Sequence, residues 1–171
     1  MTMVILLRID VEIDNLTPCL AERKTGRILE TVVTRVFPNK KHYSGWNFDW
    51  SISLKNQFEV YALTISGETE IQGMIALKKE AHNCAVHVDI VETAPHNFGK
   101  NGQYEGVGAH LFAFACKTAY DNEYEYIYFD AKTNLIGYYK EKLGAVQLGR
   151  SQRMMIDGES FMALINAYYG G

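Results

Sequence analysis

The fold is decided between Val86 and Tyr120. Val86-His87-Val88-Asp89-Ile90-Val91-Glu92-Thr93-Ala94-Pro95 leads through a polar loop, His96 to Gly102, into Gln103-Tyr104-Glu105-Gly106-Val107-Gly108-Ala109, and His110-Leu111-Phe112-Ala113-Phe114-Ala115-Cys116 follows at once. This reads as an alternating strand, a glycine-bearing turn and a long apolar helix. Glycines at the mouth of a helix let a bulky anion approach the backbone, because no Cβ stands in the way. The first N–H groups of a helix have no partner within it and lie at the positive end of its dipole, so a strand feeding such a turn is a ready phosphate cradle. Gly106-x-Gly108 lacks a third glycine at the dinucleotide spacing, and no Lys-Ser/Thr follows as in a P-loop. The remaining structural reading is a glycine turn packed closely on a sheet.

Working outward, Phe58–Ile65, Glu70–Lys79 and Cys84–Thr93 form a three-strand antiparallel meander with short turns, and Pro95 ends its third strand because it cannot donate to a ladder. The helix from about Gly106 to Tyr120 is apolar nearly all round and should be largely buried. Tyr126 to Ala131 reads as a buried strand. Thr133 or Asn134 caps a helix over Leu135–Leu143 that Gly144 stops. Val146–Leu148 and Arg153–Ile156 form a closing pair of strands, and Glu159–Tyr169 a last helix. Upstream, Leu7, Ile9, Val11 and Ile13 alternate with charged residues as in a half-buried strand. Cys19–Arg23 and Arg27–Phe37 flank Lys24-Thr25-Gly26 as a hairpin. Asn39 to Gln57 has a weak pattern. There Tyr43, Trp46, Phe48 and Trp50 either roof the core or line an acceptor pocket.

The 171 residues suffice for one domain with a sizeable core. Hydrophobic content of 47% and charged content of 22% are those of a soluble globular chain. A net charge of −3, with 17 basic against 20 acidic residues, gives no basic excess, and the expectation is that nucleic acid is not a partner. No window approaches the roughly 18 apolar residues of a membrane span, and Arg8, Asp10 and Glu12 interrupt the amino terminus where a signal peptide needs an unbroken apolar centre. Cys19, Cys84 and Cys116 are odd in number and widely spaced, which points to buried free thiols in the cytoplasm. The five histidines make no metal-binding pair, so no metal is expected.

Gln103-x-x-Gly106-x-Gly108-Ala109 resembles the (Arg/Gln)-x-x-Gly-x-(Gly/Ala) signature of the GNAT N-acetyltransferase superfamily. Tyr138-Tyr139-Lys140-Glu141-Lys142-Leu143-Gly144-Ala145 looks like that family's Tyr-x-x-x-Gly-Phe region. The resemblance covers roughly residues 58 to 157. It implies an α/β, GNAT-like acyl-CoA N-acyltransferase fold: a central mixed, mostly antiparallel sheet flanked by helices, with a splayed parallel strand near Tyr126. The chain then divides into an N-terminal β-hairpin elaboration on one edge (1–57, acceptor side), an acetyl-CoA-binding core (58–157) and a C-terminal helix (158–171). Two departures stand out. Seven residues separate Pro95 from Gln103 where the family loop is short, and Lys100 within them could meet a phosphate. Tyr139 stands five residues before Gly144 where the family tyrosine stands four before; Tyr138 is six before, and the fourth position is Lys140.

The resemblance implies an acetyl-CoA-dependent N-acetyltransferase that moves the acetyl group directly to a primary amine of a small molecule or a protein. The other reading is a catalytically inactive GNAT-like acyl-CoA-binding or protein-interaction module. An ammonium with a pKa near 10.4 leaves only about one molecule in a thousand unprotonated at pH 7, so a base must collect its proton. Asp89 and Glu92 are the candidates. Residues three apart on a regular strand face opposite ways, so both serve only if the strand bulges; otherwise one is a solvent-facing charge. By resemblance Tyr139, or Tyr138, protonates the departing thiolate. The backbone of Thr93 and Ala94 lies along the cofactor, the amides of Gln103, Tyr104, Glu105, Gly106, Val107, Gly108 and Ala109 hold its pyrophosphate, and Asn134 contacts it or caps a helix. No membrane is expected as a partner; the oligomeric state is not readable from the sequence, and the resemblance leaves a homodimer open.

Overall fold

The computed structural model describes residues 9–10, 20–38, 45–99 and 101–170, with backbone alone at 9–10. The meander forms as the alternation dictates: β5 (Glu59–Ile65), β6 (Ile71–Glu80) and β7 (Ala85–Thr93) pair antiparallel in sequence order. β9 (Tyr126–Asp130) joins β7 in parallel, as a long helical crossover permits. β11 (Arg153–Ile156) and β10 (Val146–Gln147) extend that side, and β4 (Thr31–Val36) closes the other, giving the order β10-β11-β9-β7-β6-β5-β4. The sheet is mixed and mostly antiparallel.

Helix α2 (Val107–Asp121) crosses from β7 to β9 and is buried along most of its length. With α3 (Ile136–Leu143) and α4 (Gly158–Tyr169) it covers one face of the sheet, where Phe112, Phe129, Leu77, Val88 and Tyr139 belong to one continuous core. A smaller core lies under α1 (Trp50–Lys55) on the opposite face, joining Trp50, Val60, Met74 and Ile90. The sheet thus separates a face covered by α2, α3 and α4 from one that, among the described residues, α1 and the residues just before it roof.

Several local expectations need correction. The segment 39–57, weak in pattern, contains helix α1. Its start is an Asp49 cap that accepts from Ser51 N at 3.0 Å, a contact worth about 1 kcal/mol. Trp50 is fully buried and the half-buried Trp46 and Phe48 pack on the same cluster, so these rings roof the core, while Tyr43 lies outside the described residues. The hairpin divides in two. β2 (Leu20–Glu22) pairs on one side with β3 (Ile28–Leu29) and on the other with a two-residue strand, β8 (Tyr104–Glu105), whereas only β4 reaches the sheet edge. Neither Thr133 nor Asn134 caps α3. Both lie in a 3-10 turn, Thr133–Leu135, and Leu135 precedes the helix without a side-chain cap. Gly144 does stop it, at φ 68°. Cys116 is buried as expected, but Cys84 is exposed and Cys19 lies outside the described residues.

Of the alternating amino-terminal run, the structure describes β1 (Ile9–Asp10); the rest lies outside the described residues. β1 pairs in parallel with Val91 and Glu92 of β7, alongside the centre of the sheet and not at its edge. Among the described residues no helix is long and apolar enough to cross a membrane, and no group of three or more His, Cys, Asp or Glu is placed to hold a metal ion.

Candidate active site

β7 and β9 are joined only at their first residues, Ala85–His87 against Tyr126–Tyr128. Beyond that point they part; β1 takes up the freed edge of β7 at Val91 and Glu92, and the cleft between β7 and β9 is left beyond it, toward Thr93. Helix α2 begins beside this cleft. Its N-cap is Gly106 at φ 94°, a left-handed conformation that glycine adopts without Cβ strain. No side chain caps this end, so the amides of Val107, Gly108 and Ala109 are offered without competition from a capping oxygen. α2 sits close to the sheet here: a Cβ on Gly73 of β6 would lie 2.6 Å from Val107 Cγ1 and 2.9 Å from Leu111 Cδ1. Gly73 is paired with Thr93, which fixes the helix mouth against the end of β7.

The residues fit an acyl-CoA. An anion can meet the uncapped amides of α2, and Thr93 Oγ1 is buried without a hydrogen-bond partner among the described residues, at the end of the parted strand. Ala94 contributes less than expected, because its N–H donates to Gln72 O at 2.9 Å and its carbonyl accepts from Asn97 N at 2.9 Å. Gln103 and Tyr104 precede the helix mouth. The Gln103 amide donates to the Tyr104 hydroxyl at 3.2 Å, and Tyr104 N donates to Asn97 Oδ1 at 3.1 Å, so the long loop is tied back through a buried asparagine. Glu105 stands 3.9 Å from Arg23. Lys100 lies outside the described residues.

A β-bulge decides the carboxylates. Ala76 faces Ile90 but Leu77 faces Val88, so Asp89 is the extra residue on β7. The bulge turns both candidates toward α1: Ser53 Oγ donates to Asp89 Oδ2 at 3.2 Å, and Trp50 Nε1 donates to Glu92 Oε1 at 3.1 Å. Their surroundings differ. Glu92 is 1% exposed and also accepts from Asn47 N at 2.5 Å and Phe48 N at 3.3 Å, so its carboxylate pins the loop that leads into α1. Asp89 is half-exposed.

Below Asp89 on the same strand, His87 stacks on Tyr128 at 4.6 Å, its Nδ1 3.6 Å from Glu80. Burial holds the His87 imidazole below its ordinary pKa, against the pull of Glu80, so it is neutral near pH 7. The Tyr128 hydroxyl donates to Glu80, and burial together with that carboxylate pushes its pKa up.

Tyr139 is fully buried, edge-on to Phe129 at 5.5 Å and tilted against Phe112 at 6.1 Å. Its neighbour Tyr138 is half-exposed. Asn134 is exposed in the turn before α3.

Other residues of interest escaped the sequence reading. The β2–β3 hairpin brings Arg23 and Lys24 to the glycine loop, where with His96, Asn101 and Gln103 they line a recess of about 760 Å³. Arg23 N donates to Gln103 O at 3.1 Å. Lys24 at a hairpin turn carries no sequence signal of this, since only the pairing of β2 with β8 brings it there.

Solved structures share this architecture. A Bacillus subtilis acetyltransferase in complex with CoA superposes with a TM-score of 0.54 at 13% identity, over 75% of this chain and 99% of its own. The fold is that of the GNAT acetyltransferases. AtaTR bound with AcCoA matches at 0.55 and 13% identity, over 78% of this chain and 97% of that one. The AtaT–AtaR complex bound to DNA matches at 0.57 and 14%, over 78% and 98%. No family model matches the sequence, and no curated protein matches it.

The last of these structures corrects one expectation. Charge balance had excluded nucleic acid as a partner, yet a protein of the same GNAT fold occurs in a complex on DNA. Net charge weighs only a chain's own contact with phosphates; it says nothing of a complex in which another component can make them. Nucleic-acid and protein partners are therefore both open to this chain.

Proposed function

We propose that the protein is an acetyl-CoA-dependent N-acetyltransferase that moves the acetyl group directly to a primary amine of a small molecule or a protein. The observation that carries this is the uncapped, glycine-bearing mouth of α2 set against the end of β7, where Thr93 Oγ1 is buried without a partner among the described residues. Acetyl-CoA supplies the activated thioester; everything else falls to the chain. The amides at 106–109 hold the pyrophosphate, and Arg23 and Lys24 line a recess at the glycine loop, together with Glu22. Thr93 Oγ1 orients the thioester end. Asp89 is the base that takes the amine proton, because it is reachable, whereas Glu92 positions the 47–50 loop on the acceptor side. The thiolate receives its proton from the tyrosine pair of α3, and Tyr138→Phe set against Tyr139→Phe separates the two.

The second reading, a GNAT-like module that binds acyl-CoA or a protein without turnover, draws support from the enclosure of Tyr139 and the commitment of Glu92. One assay decides between them: thiol release from acetyl-CoA with a panel of primary amines, the products checked by mass spectrometry. Turnover with at least one amine, lowered about 100-fold or more in Asp89→Asn, is expected. Tight acetyl-CoA binding with no turnover on any amine would favour the second reading.

A further inference from the structure

At the far end of α2, about 20 Å along the helix from its mouth, lies a groove of about 970 Å³. The end of α2, the start of β9, the end of β11 and the start of α4 enclose it. Its walls are apolar and aromatic: Tyr120 is 51% exposed, Met162 is 37% exposed, and Tyr124 and Tyr126 stand half-buried between them. Its rim is acidic, with Glu123, Glu125 and Asp157. None of the three takes part in an ion pair among the described residues, and no Lys or Arg lines the groove. The nearest cation along α2, Lys117, is held by Asp121 at 2.6 Å and lies over the Tyr120 ring at 5.9 Å.

We propose that this groove docks an amphipathic segment of a partner protein that carries Lys or Arg beside apolar side chains. The apolar side chains fill the floor against Met155 and Met162, whose unbranched side chains adapt to what they meet. The cations pair with the three carboxylates and lie over the tyrosine faces. Uncompensated negative charge around an apolar floor selects this chemistry: an acidic segment or a phosphate backbone is repelled from the rim, and a neutral apolar one leaves the carboxylates unpaired. A helix docked in such a groove presents its anchors at i, i+3, i+4 and i+7.

The test uses the full chain and a synthetic amphipathic helix of leucines and lysines at that spacing, labelled for fluorescence anisotropy, with the same peptide carrying Glu for Lys as its control. The expected result is micromolar binding by the lysine peptide alone, with hydrogen-exchange protection confined to 120–126 and 155–162. Met162→Asp decides between docking and simple charge attraction. It adds a negative charge, so bulk attraction would strengthen binding, whereas a filled groove predicts weakening by about tenfold or more. Met162 is partly exposed, so the variant should fold, and its melting temperature checks this. Glu123→Gln with Glu125→Gln should weaken binding severalfold and flatten its salt dependence. Equal or tighter binding by Met162→Asp, binding of the glutamate peptide or of duplex DNA at this groove, protection elsewhere, or no binding at all would overturn the proposal.

Discussion

At Asp89 and Glu92 two carboxylates three positions apart take different work because one is the extra residue of a bulge and the other is tied into a loop. Asp89→Asn should abolish most turnover while the acetyl-CoA dissociation constant stays within about twofold, since it touches the acceptor side alone. Glu92→Ala should act first on stability. It strands the Asn47, Phe48 and Trp50 donors, and a loss of about 2–4 kcal/mol is expected by denaturant titration. A Glu92→Ala protein as stable as the wild type would show that the loop is held by something else.

His110 offers a second test at this scale. Burial pushes its imidazole down to about 4; its Nε2 lies 2.6 Å from Thr31 Oγ1, and the ring stacks on Tyr168 at 4.6 Å. Lys117, paired with Asp121, and Glu30 line the same pocket. The unfolded imidazole titrates near 6.5, so between that pH and about 4 the unfolded chain binds the extra proton. Stability from this group is therefore whole above about pH 6.5, is lost as the pH falls toward 4, and falls no further below. The loss is about 3 kcal/mol. His87, lowered in the same direction, adds to it. A pH series of urea melts on wild type and His110→Phe should show the slope shrink in the variant; an unchanged slope would assign it elsewhere.

Among the elements, α2 governs the site, and its distance from the sheet is set at Gly73. Gly73→Ala puts a methyl 2.6 Å from Val107 Cγ1, so the helix mouth must shift or strain. A loss of about 1–3 kcal/mol is expected, with acetyl-CoA affinity falling at least tenfold, because the amides move with the helix. Asn134→Ala makes the opposite case: since Asn134 does not cap α3, it should change stability by less than about 0.5 kcal/mol. Sequence legibility divides along the same line. The meander, α2 and the Gly144 stop were readable because each rests on a local pattern of period two, period 3.6 or a glycine φ. Helix α1 was not, because six residues with Trp50 and Ser53 buried show too short a period to rise above a loop. The bulge at Asp89 is a matter of register between two strands, and no residue type on β7 announces it. The docking of β2 on β8 is likewise long-range, and two-residue strands carry no alternation to read.

For the molecule as a whole, the sheet puts the cleft and the acidic groove at opposite ends of α2, so ligand chemistry and partner docking need not compete. Composition misjudged the partners open to this chain, because charge summed over a sequence does not reveal what its complexes contain. Everything proposed for the cleft rests on one claim, that the mouth of α2 binds acetyl-CoA. The direct measurement is calorimetric titration of the 171-residue chain with acetyl-CoA, beside Gly108→Trp, which fills the helix mouth, and Thr93→Val, which exchanges the hydroxyl for a methyl. Micromolar binding by the wild type, lost in a Gly108→Trp protein that still melts cooperatively and weakened severalfold in Thr93→Val, is the expected result. A folded wild type that takes up no acetyl-CoA, or a Gly108→Trp protein that binds it equally well, would contradict it.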